Sequence, residues 1–384
     1  MKNKTPIIIL SIVLVLLILG LVIGLTGSET GRTISEEPIK IGVTVPLTGN
    51  AAIWGEEISK GIDLAVEEIN SNGGINGRKI RIIYEDSSDP TTATTAAQKL
   101  INTDNVKIII TAFSSLSNAI RPITEKNKII LIADNHQPIF GMPGDYTFRS
   151  HISGEEQHIE IMEFLEKNEM IEDTGIIAEN SAYTQGMINI IRPYFERNGK
   201  KLFVEYISAD QKDFRTNLIR LKEKNVKIIF SASIYYQINA LIIKQKEELG
   251  IVGQIIVPDY VCIESNSLFD YINPQIAEGI IYPKPLGSEE GNAFTETARK
   301  FFKKYKEKYG FFPKLDVATL YDAINFLEEP LEECGEDTEC IKEELYHIKN
   351  FKSVYGAVYI DKNGDTRGKE FFIKIIRDGQ FVEY

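Results

Sequence analysis

The most constraining feature of this sequence is a repeated alternation between short β-branched runs and amphipathic helical stretches. The run 39–45 (IKIGVTV) precedes the stretch 53–70, in which apolar residues recur at helical spacing. Glycines in SNGGINGR, residues 71–78, then end this helix, because glycine adopts turn conformations at little cost. The unit recurs as strand 79–86 with helix 91–102, strand 107–112 with helix 115–126, and strand 129–133. Strands that are apolar on both faces and separated by helices predict a parallel sheet covered on both sides.

A second series of the same kind follows TFRSHISGEEQ. It predicts helices over 154–168, 183–197, 213–224 and 235–249, and strands over 175–180, 202–207, 227–232 and 254–258. A chain of 384 residues is too long for one ordinary core. The two series therefore predict two doubly wound α/β lobes.

The last third of the sequence is mainly helical. It predicts helices over 289–309, 314–331 and 338–348, and then two strands, around 354–360 and 370–376. The connection between these strands, DKNGDTRG, contains an Asn-Gly turn signal.

The N-terminus predicts a membrane segment. Lys2 and Lys4 precede a charge-free apolar run over 6–25, which is about 20 residues and long enough to span a bilayer as a helix. It is longer than the core of a secretory signal and no A-x-A cleavage site follows, so we expect an uncleaved anchor, with a cleaved signal as the alternative. The leading lysines place the bulk of the chain outside the cytoplasm. Residues 1–26 are thus the anchor or signal, and 27–38 a polar tether.

Charge and missing motifs exclude several functions. The chain has 43 basic and 55 acidic residues, a net charge of −12, which is the wrong sign for a nucleic-acid-binding protein. The usual motifs of nucleotide hydrolysis, nucleophile-elbow hydrolysis and zinc proteolysis do not occur. We expect neither an enzyme nor a cofactor or metal.

Three cysteines occur, and two of them lie close together. Cys334 and Cys340 flank a short loop in ECGEDTEC, whereas Cys262 stands alone. An oxidising exterior permits a disulfide between the close pair, although spacing alone leaves two free thiols as the alternative.

The loops after the predicted strands carry hydroxyls, aromatic rings and a carboxylate. Ligands of open parallel sheets bind beyond the carboxyl ends of the strands. Ser114 and Ser115, before a helix, are suited to receive an anion such as a carboxylate, and Asp259 to receive an ammonium. Aromatic walls would come from Trp54, Tyr183, Tyr235 and Tyr236. Together these residues predict a pocket for a small zwitterion, although each alone has a structural explanation as a helix cap, rim contact or turn former.

The opening segment resembles a known family. Residues 39–90 contain P-x-[ST]-G, W-G, the pattern G-x-x-L-A-x-x-x-I-N-x-x-G-G-I-x-G-R and D-x-x-D-P. These motifs are similar to those of the branched-chain amino-acid (Leu/Ile/Val) binding proteins, type I periplasmic solute-binding proteins of ABC transporters. The similarity continues through AENSAYTQG, EGIIYPK and GAVYIDKNGD and covers about residues 39–376.

The resemblance implies a hinge of three crossings, near Gly154, 283–285 and 355–356. Lobe one would then comprise 39–154 and 286–354, and lobe two 155–285 and 355–384. It also implies that the lobes close on a solute, which a membrane permease then receives.

The family's ligand positions fall on Trp54, Ser114, Tyr183, Tyr235 and Asp259. The family usually reads A-T-x-P after the fourth strand, where this chain has Asn135, His136, Gln137 and Pro138. Because His136 replaces a ligand-binding threonine with a bulky titratable ring, we expect an acidic or polar solute, or an amide, to be favoured over a large aliphatic one. A ligand-sensing receptor domain for amino acids or amides is the alternative function.

Overall fold

Two separate sheets form the framework of the structure, a computed structural model that describes residues 37–384 except 50, 136–141, 152–153, 234, 258–267, 286–294, 314 and 370. The predicted anchor and nearly all of the tether lie outside these residues. No helix of the described part is long and apolar enough to cross a bilayer. Residues Pro38–Tyr384 make up one compact unit, which contains both of these sheets and a third, smaller sheet of three strands.

Sheet one has five parallel strands in the order β2-β1-β3-β4-β5. The strands are β1 (Ile39–Val45), β2 (Ile80–Asp86), β3 (Ile108–Ala112), β4 (Ile130–Asp134) and β5 (Thr147–Arg149). The first four confirm the predicted strands to within one residue at either end. Strand β5 was not predicted, because three residues of TFR show no periodicity.

Helices cover both faces of sheet one. They are α1 (Ala52–Ser71), α2 (Pro90–Asn102) and α3 (Ser114–Lys126). Helices α2 and α3 pack against each other and cover one face, which is formed by residues such as Ile109 and Leu131. Helix α1 covers the face that carries Ile41 and Ile110. The α/β expectation is thereby confirmed for this series.

Sheet two has seven strands in the order β15-β14-β10-β9-β8-β6-β7. The parallel strands are β6 (Thr174–Glu179), β7 (Leu202–Ile207), β8 (Ile228–Ser231), β9 (Gln254–Ile256) and β10 (Ile281–Pro285). The antiparallel strands are β14 (Phe371–Arg377) and β15 (Gln380–Glu383). Its helices are α4 (Gly154–Lys167), α5 (Ala182–Arg197), α6 (Arg215–Glu223), α7 (Tyr236–Glu248) and α8 (Leu268–Tyr271), followed by a short 3₁₀ turn, Pro274–Ala277. Helices α4 and α5 pack together on the face of Ile176 and Phe230.

The helical segment after sheet two returns to sheet one. It contains α9 (Glu296–Tyr309), α10 (Leu315–Asn325), α11 (Glu328–Cys334) and α12 (Thr338–His347). Helix α10 packs along α1, and Tyr321 of α10 donates a 2.7 Å hydrogen bond to Glu68. The single helix predicted over 314–331 is wrong in length, because the chain turns after Asn325 and begins α11 at Glu328.

The two C-terminal strands predicted together belong to different sheets. Strand β12 (Gly356–Ile360) pairs with β11 (Phe351–Ser353) and β13 (Thr366–Arg367), whereas β14 pairs with β10. The Asn-Gly signal does form a turn, with Gly364 at φ +80°, but this turn joins β12 to β13. A second hairpin, β14–β15, is closed by Asp378 and Gly379, both with positive φ.

A buried ion pair joins the end of β5 to the residue before β13, two segments that are far apart in the sequence. Arg149 lies 2.5 Å from Asp365, and both side chains are at most 1% exposed. The Arg149 backbone N–H also donates to the Gly364 carbonyl at 2.8 Å, and the Lys369 ammonium donates to the Ser150 carbonyl at 3.0 Å. Segments 149–150 and 364–369 are therefore tied together at several points.

Cys334 and Cys340 form a disulfide, with 5.6 Å between their Cα atoms. The bond links the end of α11 to the first turn of α12. Cys262 lies outside the described residues.

Candidate functional site

The carboxyl ends of the sheet-one strands lie along a single edge. Val45 pairs with Asp86, Thr44 with Thr111, and Ala112 with Asp134. The segments that follow β1, β3 and β4 therefore leave the sheet side by side. They carry four of the predicted site residues, namely Trp54, Ser114, Ser115 and Asn135.

The loop after β1 is held by Asp86 at the end of β2. The Asp86 carboxylate accepts hydrogen bonds from the Leu47 N–H at 2.7 Å and from the Thr48 hydroxyl at 2.5 Å. The Thr48 hydroxyl bond is the main reason that the pKa of Asp86 is lowered. This loop leads into α1, whose first turn places the half-buried Trp54 at the same edge.

Gly55 allows the start of α1 to lie against the loop. A Cβ atom at Gly55 would lie 1.7 Å from the Pro46 carbonyl oxygen, a separation that no side chain tolerates. The W-G dipeptide thus has a steric basis, because the glycine lets the adjacent tryptophan approach the strand end.

Ser114 and Ser115 begin helix α3. The residue before them, Phe113, has φ +64° and makes no side-chain cap, so these serines are the first helical residues and do not precede the helix as predicted. Ser114 is half-buried and Ser115 is exposed. The first N–H groups of a helix have no carbonyl partner four residues back, which makes this turn suited to an anion.

Asn135 lies beneath this turn. Its side chain is fully buried, and its amide donates a 2.7 Å hydrogen bond to the Ser117 hydroxyl. Ser117 in turn donates to the Phe113 carbonyl at 2.9 Å. Asn135 is therefore linked to the first turn of α3 through Ser117.

The sheet-two edge carries Tyr183 and Tyr235. Tyr183 is only 8% exposed, and its hydroxyl lies 3.3 Å from the Nε2 atom of the buried His158. Tyr235, at the N-cap of α7, is 43% exposed. The structure thus places Tyr183 against α4 and leaves Tyr235 at the surface.

Sequence reasoning missed a buried polar cluster at this second edge. Glu179 ends β6, and its Oε1 atom accepts a 2.6 Å hydrogen bond from the Ser233 hydroxyl. The side chain of Asn239 bonds both to the Ser233 backbone and to the Ser231 hydroxyl. The available signal was a carboxylate at the end of an otherwise apolar strand, GIIAE.

Two predicted site residues, His136 and Asp259, lie outside the described part of the chain. The structure brings the others together in two sets, one at each sheet edge. A single pocket between the edges stays a prediction.

A groove of about 590 Å³ lies elsewhere, beside α11 and α12. Its lining is rich in glutamate and includes none of the predicted site residues. Among the residues that the structure describes, no cluster of three His, Cys, Asp or Glu side chains is arranged to hold a metal ion.

A family model described as periplasmic binding protein matches residues 38–380. The chain belongs to this family. It is a solute-binding protein with the type I fold, as the sequence motifs predicted.

The curated relatives carry names that specify ligands. A protein of Brucella abortus named Leu/Ile/Val-binding protein homolog 2 is 28% identical over 358 residues, which is 90% of this chain and 92% of the relative. The Leu/Ile/Val-binding protein of Escherichia coli is 26% identical over 340 residues, covering 87% and 90% of the two chains.

A solved structure supports the same assignment. The leucine binding protein of Thermotoga maritima superposes with a TM-score of 0.77 at 27% identity, and the match covers 90% of this chain and 97% of that one. These relatives are named as binding proteins. The description of the family, periplasmic binding protein, agrees with an extracytoplasmic location.

Proposed function

We propose that this protein captures an amino acid, or a related small polar solute, between two lobes and delivers it to the permease of an ABC importer. The observation that carries this proposal is the match to Leu/Ile/Val-binding proteins along nearly the whole chain. The polar side chains at the carboxyl ends of the two sheets would supply the chemistry that such a solute needs.

The lobes would be 39–154 with 286–354, and 155–285 with 355–384, joined near Gly154, 283–285 and 355–356. The packing of α10 on α1 supports the return of the chain to lobe one. The addition of β14 and β15 to sheet two supports a C-terminal end in lobe two.

Each charged end of the solute would meet a different edge. The first turn of α3, with Ser114 and Ser115 above Asn135, would receive the carboxylate. Asp259 would receive the ammonium, while Trp54 and the exposed Tyr235 would cover the side chain. Tyr183 would contribute its ring edge, since its hydroxyl already lies beside His158.

His136 would narrow the choice of solute. Its ring is larger than the threonine usual at this position and carries a titratable nitrogen. We infer that polar, amide or acidic amino acids bind at least as tightly as leucine.

Transport would follow from lobe closure without any chemical change in the solute. A solute that contacts both lobes favours the closed state by its greater affinity for that state. The permease would then recognise the closed protein. Residues 6–25 would tether it to the outer face of the membrane, or would be removed as a signal.

A thermal-shift screen of the purified protein against amino acids, their amides and small peptides tests this function. A compound that binds only the folded state raises the melting temperature. We expect a rise with at least one amino acid or amide. If none of these compounds shifts the melting temperature or binds in calorimetry, the proposed function is wrong.

A further inference from the structure

The buried cluster at the end of β6 is not explained by the fold alone. Glu179 is 9% exposed, and its Oε2 atom has no hydrogen-bond partner among the described residues. A buried carboxylate oxygen without a donor is costly, and such groups persist mainly where function requires them.

A chain of two hydrogen bonds leads from this carboxylate to the surface. The Ser233 hydroxyl donates to Glu179 Oε1 at 2.6 Å, and it accepts the backbone N–H of Tyr235 at 3.0 Å. Because the hydroxyl accepts from Tyr235, its one proton is available for Glu179. The Glu179 carboxylate, which only accepts, therefore fixes the direction of both hydrogen bonds.

Further contacts around Ser233 hold these two hydrogen bonds in place. Strands β6 and β8 are neighbours, with Ile177 opposite Ser231, so their carboxyl ends lie together. The Asn239 side chain accepts the Ser233 N–H at 3.2 Å and donates to the Ser233 carbonyl at 2.8 Å. The backbone of Ser233 is held by Asn239, and its hydroxyl is held by Glu179.

We propose that Glu179 is a positioning residue for the solute site, which sets the place of Tyr235 through the hydroxyl of Ser233. The inference rests on the proposed function, because it takes Tyr235 to be a solute contact. In this role Glu179 acts through Ser233 and Tyr235. It fixes the backbone from which the exposed tyrosine ring reaches into the cleft.

Affinity measurements on single variants test this role. Calorimetry would use L-leucine, L-glutamine and L-glutamate, and the variants would be compared with whichever of them binds the wild-type protein most tightly. Glu179→Leu and Ser233→Ala each break the same bond and should raise the Kd at least fivefold. Glu179→Gln keeps an acceptor for the Ser233 hydroxyl and should stay within threefold of the wild type.

A matched control is available in the neighbouring strand. Glu205 in β7 accepts hydrogen bonds from Asn217 and Arg220, each at 3.1 Å, and neither partner leads to Tyr235. Glu205→Leu should lower the melting temperature without changing the Kd. If Glu179→Leu fails to fold, Ser233→Ala and Glu179→Gln carry the test.

A double-mutant cycle separates positioning from general destabilisation. In a Tyr235→Ala background, Glu179→Leu should produce no further rise in the Kd, because its effect passes through Tyr235. An equal rise of the Kd in both backgrounds would overturn the inference. An unchanged Kd for Glu179→Leu would overturn it too. So would a loss of affinity with Glu179→Gln as large as that with Glu179→Leu. If the wild-type protein binds none of the three amino acids, the compound that raises the melting temperature most in the thermal-shift screen replaces them. If no compound of that screen binds, the proposed function is rejected, and this inference with it.

Discussion

Lys284 is a buried lysine of sheet two that lies near a second buried lysine. It lies in β10 and is 2% exposed, and Lys374 of β14 is also buried. Burial, with the nearby positive charge of Lys374, lowers the pKa of Lys284 to about 6. An amine in this setting is mainly neutral at pH 7, whereas in the unfolded chain it is protonated.

This difference predicts a pH dependence of stability. The unfolded state binds more protons between about pH 6 and pH 10, so the contribution of Lys284 to stability falls as the pH decreases through that window. Replacement by Met should stabilise the protein at pH 7 by roughly 1 to 3 kcal/mol and reduce the loss of stability between pH 9 and pH 7. Urea unfolding at several pH values measures this. Lys222→Met, at an exposed position on α6, is the control and should leave the pH profile unchanged.

Asp259 is the proposed acceptor for the ammonium group of the solute. Loss of a charge-assisted hydrogen bond to the solute ammonium, about 1.5 to 3 kcal/mol, should weaken amino-acid binding more than about tenfold in Asp259→Ala. Calorimetry with the best ligand measures the change, and Asp259→Asn separates the charge from the shape of the side chain. An unchanged affinity would remove Asp259 from the site.

Helices α1 and α10 show how small residues set the distance between elements. A Cβ atom at Gly61 of α1 would lie 2.5 Å from the Val317 carbonyl oxygen of α10. That oxygen belongs to the backbone and cannot turn away. The close contact of the two helices therefore depends on glycine at this position.

Two opposing effects decide the outcome of Gly61→Ala. Alanine favours the helix by roughly 0.5 to 1 kcal/mol, but overpacking at a tight contact costs about 1 to 3 kcal/mol. We expect net destabilisation of about 1 kcal/mol or more, measured by urea unfolding. Glu56→Ala, at an exposed position of the same helix, should change stability by less than about 0.5 kcal/mol. A more stable Gly61→Ala variant would show that the contact relaxes freely.

Element order was more predictable than pairing or site geometry. Long periodic stretches such as α1 and α5 were found within two residues, because burial of one helix face controls their pattern. The three-residue β5 and the Pro-containing β10 carry no such pattern. Strand β14 pairs with a strand 90 positions earlier in the chain, at Ile373 and Pro283, and no local signal specifies that partner.

At the site, the sequence predicted which types of residue follow the strands, but it did not predict the contacts that their side chains make. The positive φ of Phe113, which makes Ser114 the first residue of α3, depends on how the chain leaves β3. The burial of Tyr183 against His158 depends on the packing of α4 on α5. The cluster around Glu179 joins residues from two strand ends, which only the sheet topology brings together.

At the scale of the whole molecule, the proposed function requires two lobes that move relative to each other about fixed segments of the chain. The ion pair of Arg149 with Asp365, and the bond of Lys369 to the Ser150 carbonyl, hold segments 149–150 and 364–369 together. Such a rigid connection would concentrate bending in a few neighbouring residues. A solute that contacts the carboxyl ends of both sheets would then favour the closed arrangement of the lobes.

Small-angle X-ray scattering of the purified protein, with and without the amino acid or amide that binds most tightly, tests this claim directly. The account predicts a smaller radius of gyration and a shorter maximum dimension when the solute is bound. A solute that binds in calorimetry yet leaves the scattering curve unchanged would contradict closure as the mechanism.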